Sequence, residues 1–171
     1  VKSGITRNLT QSDNAHDRNV AWSPDGKYIA YISDRTGEDE LYIQAQDGKE
    51  EAIQLTSKSD TYKYGPTWSP DSKRILWYDK MNRINMVEVA TKKVTEVAHS
   101  LAGEMGDFAW SADSRWIAYS MPSTFSVSRI HIYNVASGKD EVVTDGWYNA
   151  SSPAFDKNGK YLYFTSERDF R

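Results

Sequence analysis

Four phrases echo one another along the chain: "AWSPDGKYIAYISD" from Ala21, "TWSPDSKRILWYDK" from Thr67, "AWSADSRWIAYSMP" from Ala109 and "AFDKNGKYLYFTSE" from Ala154. Their anchoring aromatics, Trp22, Trp68, Trp110 and Phe155, stand 46, 42 and 45 residues apart. This period constrains the fold more than any other feature. Each copy is one supersecondary unit that must bury its apolar face against the next.

Each repeat divides into four short strand candidates. The first leads into the anchor, as in "NVAWS", "GPTWS", "DFAWS" and "SPAFD". The second places Ile29, Ile75, Ile117 or Leu162 seven residues after the anchor. An aromatic follows two residues later: Tyr31, Trp77, Tyr119 or Phe164. A spacing of two puts the pair on one face of a strand. The third strand reads "LYIQAQ", "INMVEV" and "IHIYNV", and the fourth "EAIQLT", "VTEVA" and "EVVT". Pro24-Asp25-Gly26 and Asn158-Gly159 supply a preset φ and a residue tolerant of positive φ between first and second strands. Gln46-Asp47-Gly48, Ala90-Thr91-Lys92 and Ser137-Gly138-Lys139 are expected to turn the third strand into the fourth. No window has helical periodicity. Four-stranded units at this period predict an all-β fold of β-propeller blades.

The expected boundaries are a leading strand within residues 1–12, then blades over 16–57, 62–98 and 104–145. The first half of a further blade follows over 149–171. "ITRNLT" matches "AIQLTS", the end of the first full repeat, which suggests the last strand of a preceding blade. The chain therefore reads as a segment of a longer protein, three complete blades with parts of two more, which would form an open arc, pair with a second copy, or close with Ile5 to Thr10 beside the last pair. Unpaired strand edges in such an arc favour self-association.

The repeated residues Trp22, Asp25, Gly26, Trp68, Asp71, Trp110, Asp113 and Phe155 are read as architectural. One active site does not need four copies of its residues. Packing between blades suits the aromatics, and capping a hairpin suits the Asp-containing turn.

Composition narrows the remaining functions. A net charge of −3 gives no basic surface for nucleic acid. No apolar run reaches the length of a membrane helix. The chain has no cysteine, which removes disulfides, thiolate nucleophiles and Cys-based zinc sites, yet leaves the compartment open. His16, His99 and His131 are the histidines, and no nucleophile elbow accompanies them, so no catalytic residue is expected. The acidic stretch Asp34–Glu40 lacks calcium-loop spacing and reads as solvated loop charge. No metal or cofactor site is expected. Arg35 and Arg168, after equivalent second strands, are expected to pair with neighbouring carboxylates.

A binding surface would lie where each first strand begins, because propeller loops gather there around the central channel. The copies diverge at that point: "HDRN", "YKYG", "EMGD" and "YNAS". Asp17, Arg18, Lys63, Tyr64, Asp107 and Asn149 are the candidate contacts, with peptides or a protein partner as the expected ligand.

The "WSPDG" phrase, followed by an apolar strand and "SDR" or "SER", resembles the TolB-like group of propeller repeats. Within that group the chain resembles the tricorn peptidases. "DFAWSADSRWIAYS", "SRIHIYNVASGK" and the phrase from "TDGWYN" to "SERDF" carry the likeness. The generic repeat is of low specificity and the last phrase is more telling. Ala112 in place of the turn Pro and Phe155 in place of the anchor Trp depart from the pattern. The resemblance implies a multidomain serine peptidase whose propellers scaffold and gate the passage of oligopeptides. Its PDZ-like domain and Ser/His catalytic region would lie outside this stretch, and no catalytic motif maps here. The alternatives are a TolB-like propeller docking protein partners in the cell envelope, a prolyl-oligopeptidase relative with its hydrolase domain elsewhere, or a sugar-binding propeller.

Overall fold

The computed structural model describes residue 4 and residues 6–105, 107–124 and 127–168. Its fourteen strands fall into three four-stranded antiparallel sheets and a final pair. The first sheet holds β1 (Asp17–Trp22), β2 (Tyr28–Ser33), β3 (Glu40–Ala45) and β4 (Ile53–Gln54). The second holds β5 (Thr67–Trp68), β6 (Arg74–Tyr78), β7 (Arg83–Glu88) and β8 (Val94–His99). The third holds β9 (Phe108–Trp110), β10 (Trp116–Pro122), β11 (Ser128–Asn134) and β12 (Lys139–Val142). β13 (Ala150–Phe155) pairs with β14 (Leu162–Ser166). Each sheet runs in simple sequence order, the meander of a propeller blade.

Side-chain alternation divides the two faces of each sheet between its neighbours. Ala30, Ile32, Leu41 and Ile43 of the first sheet meet Trp68, Ile75, Trp77 and Val87 of the second. The second sheet's other face, with Leu76, Ile84 and Met86, meets Ile117, Tyr119 and Tyr133 of the third. Ile and Leu at these positions are fully buried. Each such side chain contributes about 1.5–3 kcal/mol by leaving water. The paired Ile29 and Tyr31 sit on the outer face of the first sheet with Tyr42, covered by Leu9.

The expected leading strand takes a different form. Residues 6–12 carry no strand, and Leu9 packs its side chain on the Tyr31–Tyr42 face instead. The rest of that expectation, residues 1–3 and 5, lies outside the described residues, as do 169–171 at the far end.

One turn recurs with the same bonds. The Ser23, Ser69 and Ser111 hydroxyls donate to Asp25, Asp71 and Asp113 at 2.6–2.7 Å. Each serine oxygen also accepts the N–H that begins the second strand, from Tyr28, Arg74 or Trp116. Each carboxylate accepts the N–H two residues on, from Lys27, Lys73 or Arg115. In the fourth copy Asp156 alone accepts from both Lys160 and Tyr161. The left-handed position of the turn is Gly26 or Gly159 in two copies, but Ser72 (φ 59°) and Ser114 (φ 61°) in the others. Those serines tie the sheets together: Ser72 Oγ accepts the Asp25 N–H, and Ser114 Oγ accepts the Asp71 N–H.

The anchors behave differently from one another. Trp68 Nε1 donates to the Ala21 carbonyl and Trp110 Nε1 to the Thr67 carbonyl, each reaching the preceding sheet. Trp22 is 59% exposed. Phe155 is half-buried and has no side-chain N–H to give.

Candidate functional site

The first strands of neighbouring sheets approach one another, β1 beside β5 and β9 beside β13, so they form the inner side of the arc. The six candidate residues lie at the end of the sheets where these strands begin. A bulge marks that end in β1, where Asn19 adopts φ 56°, and in β13, where Ser152 adopts φ 53°. Bulges re-aim side chains at such rims. Equivalent positions in successive sheets touch there. The Asp107 carboxylate accepts the Ser152 N–H, and a Cβ at Gly65 would lie 3.5 Å from the Asn19 amide nitrogen.

Arg18, Lys63 and their partners form a charged network across the first two sheets. Arg18 pairs with Asp39, whose carboxylate also accepts the Lys63 N–H. The buried Lys63 ammonium donates to the Asp39 carbonyl at 2.7 Å and to the Ser59 hydroxyl, and lies 3.6 Å from Glu40. Glu40 accepts from the Thr56 hydroxyl at 2.5 Å and the Ser59 N–H at 2.8 Å. Burial pushes the Lys63 pKa down, against the pull of Glu40 and Asp39. This corrects the reading of Asp39 and Glu40 as solvated loop charge. The loop folds under the next sheet's entry segment, and Lys63 and Arg18 neutralise its acids. Lys63 is thereby a joint between sheets with its donors already used.

The other candidates divide in the same way. Asp17 accepts from the Ser12 hydroxyl and from Arg35, which also bonds the Tyr31 hydroxyl. Asn149 accepts the Ser128 N–H and donates to Glu167 at 3.0 Å. Arg168 stacks over Tyr148 with its Cζ 5.3 Å from the ring centroid, and among the described residues no carboxylate pairs with it. Tyr64 is the one aromatic among the six, and it joins an aromatic surface. Its ring stacks on Tyr78 at 4.4 Å and meets Tyr62 edge-on at 5.0 Å. Tyr78 meets Phe108 of the third sheet edge-on at 6.3 Å, and the Arg18 guanidinium lies 4.2 Å above Tyr62. The series Tyr62, Tyr64, Tyr78 and Phe108 thus crosses the inner rim from the second sheet to the third. Sequence reasoning missed Tyr62, Tyr78 and Phe108. The alternation of Tyr62 and Tyr64 around Lys63 was the available signal.

His131 Nδ1 lies 2.8 Å from Asp140, whose other oxygen accepts the Tyr119 hydroxyl at 2.5 Å. This carboxylate–imidazole pair meets a phenol whose pKa burial and the Asp140 bond push up, so Tyr119 stays protonated and makes a poor nucleophile. His16 contributes its backbone N–H to Asp34, and His99 ends β8. Among the described residues no group of His, Asp and Glu has the arrangement of a metal site.

Comparison with known proteins gives a consistent picture. The model of the tricorn protease second β-propeller domain matches residues 1–171. A tricorn protease homolog of Saccharolobus solfataricus is 28% identical over 152 residues, 88% of this chain and 13% of its own length. The tricorn protease of Thermoplasma volcanium is 33% identical over 106 residues, 58% of this chain and 10% of its own. The crystal structure of the tricorn protease superposes with a TM-score of 0.79 at 24% identity, over 88% of this chain and 15% of that one. TolB from Acinetobacter baumannii shares the fold at a TM-score of 0.64 and 21% identity, over 91% of this chain and 39% of that one. The chain spans about an eighth or less of the tricorn relatives it matches. With the family model covering its whole length, the chain belongs to the family of tricorn protease second β-propeller domains.

Proposed function

We propose that this propeller arc is a rigid wall that guides oligopeptides toward or away from a peptidase site carried elsewhere in a tricorn-like protein. One observation carries the reading. At the rim where the first strands begin, polar candidates are tied into joints between sheets, while the exposed Tyr62 and the half-buried Tyr64 and Tyr78 form an aromatic surface along it. Such a surface offers weak, sequence-tolerant contact to a passing chain. The His131–Asp140 pair supports a structural role for this segment, because its third member is the buried phenol of Tyr119.

The test is Tyr64→Ala in the full-length peptidase, assayed with peptides of increasing length. KM is expected to rise for long peptides and stay constant for short ones that reach the catalytic region alone. Equal kinetics at every length would overturn the guiding role. A second reading, a surface that docks a protein partner, draws on Trp147, 80% exposed, and Leu101, 91% exposed. Among the described residues β14 pairs only with β13, and an unpaired strand edge favours self-association. Light scattering that finds a monomer at every concentration would count against association.

A further inference from the structure

We propose that a cavity on the third sheet, built around Arg129, seats an acidic side chain of a partner protein, presented by an extended segment with apolar residues on the same face. The cavity shares no lining residue with the Tyr64 surface, and the inference does not depend on the guiding role.

The cavity, of about 350 Å³, opens where β10 ends, β11 begins and β12 ends, beside the segment that follows β8. Leu101, Met121, Pro122 and Val142 give it apolar walls, and Arg129 and His131 are its ionisable groups. Strand register explains the grouping. Met121 pairs with Arg129 and His131 with Val142, so these side chains share one face of the third sheet.

Arg129 carries the inference. Its Nε is shut off from water and has no hydrogen-bond partner, and among the described residues no hydrogen bond or ion pair reaches its terminal nitrogens. The guanidinium is pinned against backbone. A Cβ at Gly146 (φ 83°) would lie 2.7 Å from its Cζ and Nη2, so any side chain there would displace it. Among the described residues no carboxylate lines the cavity to answer this charge. Asp140, on the same face, is committed to His131 and to the Tyr119 hydroxyl. A charge drawn out of water is costly without a partner. The planar fork of a guanidinium takes a carboxylate through two parallel bonds, so an acidic side chain supplies what the walls lack.

The strand edge beside the cavity points to a polypeptide as the bearer of that acid. Among the described residues β12 pairs only with β11, all four of its residues are exposed, and Val142 at its end is part of the cavity wall. An extended segment laid along this edge gains main-chain bonds and sets alternate side chains on the Val142 face. A carboxylate flanked two residues away on each side by apolar groups then meets Arg129 and the apolar walls together. Leu101, 91% exposed, is the wall residue that such a segment would cover.

The experiment follows the Arg129 Nε–H and Val142 methyl resonances while the 171-residue chain is titrated with three probes. These are the blocked peptide Leu-Thr-Glu-Thr-Val, its glutamine counterpart, and isocaproate. The glutamate peptide is expected to shift both resonances saturably, and the glutamine peptide to bind about fivefold or more weakly. Arg129→Gln should erase that preference with the circular dichroism unchanged. Leu101→Ser, at a site too exposed to affect folding, should weaken the glutamate peptide about threefold or more while keeping its advantage over glutamine. If Arg129→Gln unfolds the chain, the wild-type comparison and Leu101→Ser still decide. Equal binding of the two peptides, a preference that survives Arg129→Gln, or no binding at all overturns the proposal. Isocaproate binding as tightly as the glutamate peptide would overturn the assignment to a protein segment and make this a site for small acids. None of these outcomes bears on the Tyr64→Ala kinetics, so the guiding role stands or falls separately.

Discussion

The Trp68 indole N–H donates to the Ala21 carbonyl across 3.1 Å, joining two sheets through residues one repeat apart. The bond satisfies a carbonyl at a sheet-to-sheet contact where Trp68 is only 7% exposed. Trp68→Phe keeps the apolar packing and removes the donor, so it should cost about 1–2 kcal/mol. Trp22→Phe, at an exposed copy of the same position, should change stability by less than about 0.5 kcal/mol. Urea denaturation of both variants checks the contrast. Equal losses would mean that the bond contributes nothing.

Ser72 tests the second inter-sheet tie. Its hydroxyl accepts the Asp25 N–H at 3.1 Å while its backbone sits at φ 59°. An L-residue held there costs about 1–2 kcal/mol. Ser72→Ala keeps that strain and loses the bond, for an expected loss of about 1 kcal/mol. Ser72→Gly loses the same bond but removes the strain, so it should come out close to neutral. If alanine were better tolerated than glycine, the account of this turn would be wrong.

These two ties explain what was legible in the sequence. The anchor and turn recur because the second sheet grips the first, and the third the second, in the same way, and repetition makes a structural requirement visible in one chain. The period-two pairs such as Ile75 and Trp77 were equally readable, since both side chains lie in the core between the first and second sheets. The charged joint was not readable. Glu40 and Lys63 are 23 positions apart, and nothing local to either indicates that a loop acid will lie under the next sheet's entry strand. The aromatic series was half hidden for the same reason, because Phe108 joins Tyr78 only through the stacking of one sheet on another.

The joint between Lys63 and Glu40 should show strong coupling. Their side chains are 7% and 2% exposed, so removing one partner leaves a buried charge. Lys63→Met is expected to cost about 3–5 kcal/mol, and Lys63→Met with Glu40→Gln appreciably less than the sum of the single losses. Additive losses would refute the coupling. The pH dependence has a definite sign. The folded Lys63 pKa lies below its ordinary value of 10.5, so between the two values the unfolded chain binds more protons. Its contribution to stability is therefore complete above 10.5 and declines as pH falls through the folded value. Lys63→Met should flatten that alkaline rise.

The turn aspartates set the acid limit. Hydrogen bonds from Ser23 to Asp25 and from Ser111 to Asp113 hold both carboxyls below their ordinary value of 3.8. Asp71 is lowered too, its bond from Ser69 and the Lys73 N–H outweighing partial burial. A depressed folded pKa stabilises above the unfolded value and is lost as pH falls through the folded one. Stability should hold down to about pH 4 and then drop. The triple variant Asp25→Asn, Asp71→Asn, Asp113→Asn should be less stable at pH 7 and show a shallower acid decline by circular dichroism. An unchanged slope between pH 4 and 2 would remove the turns from the explanation.

The junction between the third sheet and the final pair lacks both repeated ties. Phe155 has no indole N–H for the Ala109 carbonyl, and Gly159 has no hydroxyl for the Asp113 N–H. Other bonds hold this seam, all at the rim where the first strands begin. Ser120 donates to the Ala150 carbonyl at 2.8 Å, the Ser128 N–H reaches Asn149 at 2.9 Å, and Ser152 bonds Asp107. At the opposite end, by the Asp-containing turns, neither repeated tie is present among the described residues. Hydrogen exchange should therefore be faster at the Asp113 amide than at the Asp25 and Asp71 amides, whose hydrogens are bonded to Ser72 and Ser114. Phe155→Trp combined with Gly159→Ser supplies both missing groups and should slow exchange at Asp113. It should also stabilise the chain by up to about 1–2 kcal/mol, less the strain of serine at φ 66°. If Asp113 already exchanges as slowly as Asp71, the seam is closed by something other than these ties. The two substitutions would then only add strain.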